Sequence, residues 1–95
     1  MPPGLDVIHQ PQRLRLMALL YKHRDIGFSA TRDALALTDG NLASHATRLE
    51  RAGYLRARRA LLRDGFELRY RITPEGSAAF QAYLGALREF LQGQS

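Results

Sequence analysis

Apolar positions first recur at helical spacing after Gln10. Leu14, Met17, Ala18 and Tyr21 repeat every three to four residues, and Leu16 and Leu20 widen the stripe. Pro11 sits where a missing N–H costs nothing at a helix start, and Lys22, His23 and Arg24 suit the C-terminal end. Residues 1–9 precede this helix as a loose arm with a small apolar anchor, Leu5, Val7 and Ile8. Ile26-Gly27-Phe28 reads as a connector or a very short strand. Ser29 reads as the N-cap of a second helix over about 30–36, with Ala34 and Leu35 inward. Thr38 is a further N-cap, followed by Asp39 in the first turn, and predicts a third helix to about Ala52 with Leu42, Ala46 and Leu49 buried. Gly53 supplies its left-handed stop.

After Gly53 the period changes. Tyr54 to Ala60 is extended, Asp64-Gly65 is a turn dipeptide, and Leu68, Tyr70 and Ile72 alternate with Glu67, Arg69 and Arg71. A hairpin over 54–73 with one apolar and one basic face follows. Thr73-Pro74-Glu75 joins an N-cap, an N1 proline and an early acid, opening a last helix over 74–92. The order helix, helix, helix, hairpin, helix predicts a mainly α fold with a β-hairpin wing: a helix-turn-helix at 29–53, a three-helix core and a C-terminal dimerisation helix, in a single domain over 1–95.

Charge sharpens this picture. The net +5 lies wholly in residues 48–71, where eight arginines face three acids, while the rest of the chain balances. Such segregation is expected where one surface meets a polyanion, although a hydrated arginine face gives the same count. At 45% hydrophobic and 24% charged, the chain has the balance of a globular protein rather than a disordered tail. No apolar run approaches the ~20 residues of a membrane span, and Met1-Pro2-Pro3-Gly4 does not open a signal peptide, so no membrane association is expected. Cysteine is absent, which removes disulfides and thiolate chemistry and fits a cytoplasmic location.

Three stretches carry a family resemblance: residues 8–20 from Ile8-His9-Gln10-Pro11, the pair Thr38-Asp39-Gly40-Asn41-Leu42 and Leu49-Glu50-Arg51-Ala52-Gly53-Tyr54, and Tyr70-Arg71-Ile72-Thr73-Pro74-Glu75-Gly76. Together they resemble the small stand-alone winged-helix DNA-binding domains related to MarR-type transcriptional regulators. The resemblance runs from about Ile8 to Leu87 and implies duplex DNA as a partner and a homodimer as the acting unit. Two features depart from it. Ala46 stands where a bulkier aliphatic residue is common, and the wing, Leu61-Leu62-Arg63-Asp64-Gly65-Phe66-Glu67, is more apolar than usual.

With Leu42, Ala46 and Leu49 inward, Gly40, Asn41, Ser44, Thr47, Arg48 and Arg51 face outward, with His45 at the margin and Thr38 at the entrance. Asn can pair with adenine, Arg with guanine, and Ser, Thr and neutral His with base edges or phosphates, while Gly40 permits close backbone approach. Arg58 and Arg63 are the wing candidates, Arg63 near the tip for a narrow minor groove. An amphipathic helix also has a polar face for solvent alone, so protein–protein docking and sequence-independent nucleic-acid binding stand as alternatives.

The last helix carries Phe80, Tyr83, Leu84, Leu87, Phe90 and Leu91 on one side, more apolar surface than a small core uses. With Val7 and Ile8 it forms the expected dimer interface, unless it only closes its own domain. His9, His23 and His45 lack metal-ligand spacing, and the first two read as caps. No phosphate loop, nucleophile elbow or carboxylate pair appears, so neither enzyme activity nor a cofactor or metal is expected. The sequence marks no effector pocket.

Overall fold

The computed structural model describes residues 5–93. The elements are α1 (Asp6–His9), α2 (Pro11–His23), β1 (Asp25–Gly27), α3 (Phe28–Leu35), α4 (Asp39–Arg51), β2 (Leu55–Leu62), β3 (Gly65–Ile72) and α5 (Pro74–Gln92). The strands form one antiparallel sheet in the order β1-β3-β2. Among the described residues fourteen apolar side chains make the core, and six of them, Ile8, Leu16, Met17, Leu20, Leu42 and Leu49, are fully inaccessible.

Local chemistry sets the boundaries. At α2 the Gln10 side chain accepts from the Arg13 N–H at 2.9 Å, Pro11 opens the first turn, and Arg24, at φ 70°, ends the helix. The buried stripe of α2 is centred on Leu16, Met17 and Leu20, while Ala18, expected inward, is exposed. Thr38 caps α4 by accepting from the Asn41 N–H at 3.1 Å, and α4 buries Leu42, Ala46 and Leu49 as its spacing requires. Gly53, at φ 83°, turns the chain into β2.

Four expectations are corrected. Residues 5–9 are not a loose arm, because Leu5 and Ile8 lie in the core and α1 packs on α2, α4 and α5; residues 1–4 lie outside the described residues. The second helix starts at Phe28 with Gly27 at its cap, so Ser29 is a first-turn residue. In α3 the inward positions are Thr31 and Leu35, with Ala34 exposed, and the Thr31 hydroxyl is satisfied by donating to the Gly27 carbonyl at 2.7 Å. The hairpin turn falls on Arg63-Asp64, and Gly65 already pairs with Leu62.

Register explains the two faces of the hairpin. Leu55, Ala57 and Arg59 on β2 oppose Ile72, Tyr70 and Leu68 on β3, and this face covers the core near its base. Farther out it continues into solvent as Leu68, Phe66 and Leu61, the last 73% exposed. On the other face Arg56 opposes Arg71 and Arg58 opposes Arg69. The radius of gyration is 14.2 Å, above the roughly 12 Å of a compact chain this long, because the wing and the end of α5 extend beyond the core.

Candidate nucleic-acid interface

The outward residues of α4 form one surface. At 100° per residue Gly40, Asn41, Ser44, Thr47, Arg48 and Arg51 fall within about a third of the helix circumference, and all six are exposed. Thr38 is spent on capping, although its hydroxyl hydrogen stays available to an acceptor. Asp39 in the first turn pairs with Arg32 of α3 at 3.0 Å, which ties the two helices together and offsets an acid at the approach to the face.

His45 is half-buried at the edge of this surface, and its Nδ1 has no hydrogen-bond partner. Burial, then the charges of Arg13 and Arg48, hold its pKa below the usual histidine value, which favours a neutral ring. Arg13 was not anticipated from the sequence as part of this surface. Its guanidinium donates to the Val7 carbonyl, and burial and Arg48 lower its pKa while Asp6 opposes them. The available signal was weak: a helix-start arginine with no acid three or four positions away.

The wing arginines differ from one another. Arg63 is exposed in the turn, and among the described residues it forms no ion pair. Arg58 is not free. It pairs with one oxygen of Asp25 at 2.8 Å, while Arg69 takes the other at 2.8 Å and reaches Glu67 at 2.9 Å. These bonds hold the Asp25 carboxyl below its usual range and raise the Arg69 pKa. Glu67 lies over Gly27, where a Cβ would collide with its carboxylate. The Arg59 guanidinium stacks 4.5 Å from the centroid of Phe66 on the apolar face. Beneath the sheet, burial and then Glu50 push the Tyr70 hydroxyl up to about 12.

The residues expected at a dimer contact divide in two. Ile8, Phe80 and Tyr83 are core residues of the protomer, at 0%, 5% and 4% exposure, and Val7 is half-buried. His9 neither opens a helix nor caps one with its side chain; its Nδ1 lies 2.9 Å from the Tyr83 hydroxyl, joining α1 to α5. Leu84, Leu87, Phe90 and Leu91 are exposed, at 40–68%, along the distal part of α5. Among the described residues no group of His, Cys, Asp and Glu is placed to hold a metal, and no helix is long and apolar enough to cross a membrane.

A capped helix with a polar outward face beside a basic two-stranded wing is the arrangement of known winged helices, and the winged helix DNA-binding domain model matches residues 12–91. The chain belongs to this family. Protein MJ0432 of Methanocaldococcus jannaschii is 29% identical over 80 residues, 84% of this chain and 87% of the relative. The structure of a transcriptional regulator homologue from Pyrococcus horikoshii superposes with a TM-score of 0.88 at 30% identity, over 95% of this chain and 89% of that one. A putitive MarR-family regulator from Enterococcus faecalis gives a TM-score of 0.79 at 23% identity, over 95% and 80%. The homodimeric winged helix-turn-helix domain Mb0332 of Mycobacterium bovis gives 0.76 at 20%, over 93% and 78%. The last two share the winged-helix fold with this chain.

Proposed function

We propose that this winged helix is a cytoplasmic transcriptional regulator that binds a specific duplex DNA site as a homodimer. The observation that carries the reading is the outward face of α4: six exposed residues rich in hydrogen-bonding groups, on a helix anchored from behind by Leu42, Ala46 and Leu49. Placed in the major groove, Asn41 and Arg48 read base edges, Ser44, Thr47 and Arg51 reach edges or phosphates, and Gly40 lets the backbone close in. The neutral ring of His45 borders the face and offers a hydrogen bond without a charge. Arg63 at the wing turn meets the backbone or the minor groove, and Arg58 contributes less because Asp25 holds it and offsets its charge.

The exposed end of α5 supports the dimer. Leu84, Leu87, Phe90 and Leu91 form an apolar strip of the kind that marks interfaces. The Pyrococcus relative is named as a transcriptional regulator homologue and the Mycobacterium domain as a homodimer, and both agree with this reading. Two-fold pairing would set two α4 helices about one turn of DNA apart on a palindromic site. Selection of bound fragments from a genomic library, followed by mobility shift of the enriched duplex, tests the function. Enrichment of a palindromic sequence is the expected result, and recovery of unenriched library DNA, or of none, would refute it.

A further inference from the structure

The two arginine pairs on the outer face of the sheet form an internal comparison. Arg58 and Arg69 oppose each other across β2 and β3, and Asp25 bridges them with both oxygens. Arg56 and Arg71 oppose each other two residues along in the same ladder. The β1 residue level with Arg71 is Asp25 itself, but its carboxylate is already committed to the other pair. Like charges placed directly opposite on a sheet destabilise it, and this pair has no carboxylate within ion-pair distance among the described residues.

The space beside this pair is concave. Arg71 lines a cavity of about 510 Å³ with Arg24 and Ser77, and a second hollow of about 160 Å³ with Arg56; Thr73 and Pro74 belong to both. The Arg24 guanidinium lies 5.1 Å from the Tyr21 ring centroid and 3.4 Å from the Ser77 hydroxyl. Besides Asp25, the acids near this site are Glu50 and Glu75, which line a third hollow together with Arg56 and Thr73, and Glu50 accepts from the Ala57 N–H at 3.1 Å.

We propose that Arg24, Arg71 and Arg56 form a phosphate-binding site at the base of the sheet, separate from the outward face of α4. Planar guanidinium forks match phosphate oxygens, and a phosphate oxyanion between Arg56 and Arg71 offsets their repulsion. The phosphate is either carried by a small soluble molecule seated in the larger cavity or belongs to the backbone of bound DNA. The site does not rest on the reading of α4 and stands if that reading fails.

Inorganic phosphate titrated into the full chain, followed by the backbone and arginine Nε resonances, tests the site against potassium chloride at matched ionic strength. Saturable shifts at Arg24, Arg56, Arg71 and Ser77 are expected, with affinity weakened about tenfold in Arg71→Gln and unchanged in Arg88→Gln on distal α5. Arg24→Gln gives a second weakening if Arg71→Gln disturbs the sheet. A mixed-sequence duplex then separates the sources. If it moves the same resonances and phosphate reverses the shift, the backbone is the ligand; if those resonances stay in place while phosphate alone saturates them, a soluble phosphate is. Shifts that fail to saturate, that chloride reproduces, or that survive both substitutions would overturn the proposal.

Discussion

The Thr73 hydroxyl donates to the Gly53 carbonyl at 2.6 Å while accepting from the Gly76 N–H at 2.9 Å. One side chain therefore ties the turn after α4 to the first turn of α5, and it does so in a nearly inaccessible position. The Thr73 N–H adds a bond to the Tyr54 carbonyl at 3.2 Å, closing the base of the wing. Thr73→Ala removes a cap and leaves the buried Gly76 N–H without its acceptor, and is expected to cost about 2–3 kcal/mol. Thr73→Ser should recover most of that loss. Urea unfolding of the three proteins measures both numbers.

Two glycines separate stability from recognition. A Cβ at Gly76 would collide with the Tyr54 carbonyl, which is backbone and has little room to yield, whereas a Cβ at Gly40 meets nothing within 4 Å. Gly76→Ala should therefore destabilise the fold by about 1–3 kcal/mol. Gly40→Ala should leave unfolding unchanged or slightly improved, yet weaken DNA binding by blocking close approach of the helix. Chemical denaturation and anisotropy of a labelled duplex, run on the same samples, check the split.

Acid stability should fall in two stages. His45 has a folded pKa held below its unfolded value, so its contribution is complete above about pH 6.5 and is lost as pH drops from there through the folded value. Asp25 is likewise depressed, by its bonds to Arg58 and Arg69, and its contribution is lost only below about pH 4. His45→Gln should flatten the first stage and leave the second. Asp25→Asn should do the reverse, and its stability should approach that of the wild type in strong acid. Urea midpoints followed from neutral to acid pH supply the curves.

Much of this architecture was legible before the structure. Thr38, Thr73 and Pro11 act through their own neighbours in the chain, so local chemistry announced α4, α5 and α2. Leu42, Ala46 and Leu49 needed only the helical period. What escaped depends on distant partners. Glu67 comes to lie over Gly27, the residue before α3, from forty positions away, and Asp25 reaches Arg58 and Arg69 only once β1 has joined β3. Ile8, Phe80 and Tyr83 could be sorted from Leu87 and Phe90 only after α1 folded back onto α5 through His9 and Tyr83. Arg13 comes within electrostatic reach of Arg48 and His45 in the same way.

That sorting makes the dimer testable. Leu87→Glu and Phe90→Glu lie on the exposed strip and should give folded monomers that lose most DNA affinity, because a single half-site contact is weak. Tyr83→Glu, by contrast, places a charge in the core and should unfold the protein. Sedimentation with circular dichroism distinguishes the two outcomes. A wild type that sediments as a 10.7 kDa monomer at tens of micromolar would refute the dimer.

The most direct test of recognition by α4 compares duplex affinity on a selected operator and on a scrambled sequence, across a salt series. Binding by the wild type should weaken steeply with salt as arginine contacts release counterions. Asn41→Ala and Arg48→Ala should each lose about 1–3 kcal/mol on the operator and little on the scrambled duplex, while Arg63→Ala should weaken both alike. Equal losses on both duplexes for all three substitutions, or a wild-type affinity indifferent to salt, would contradict the account.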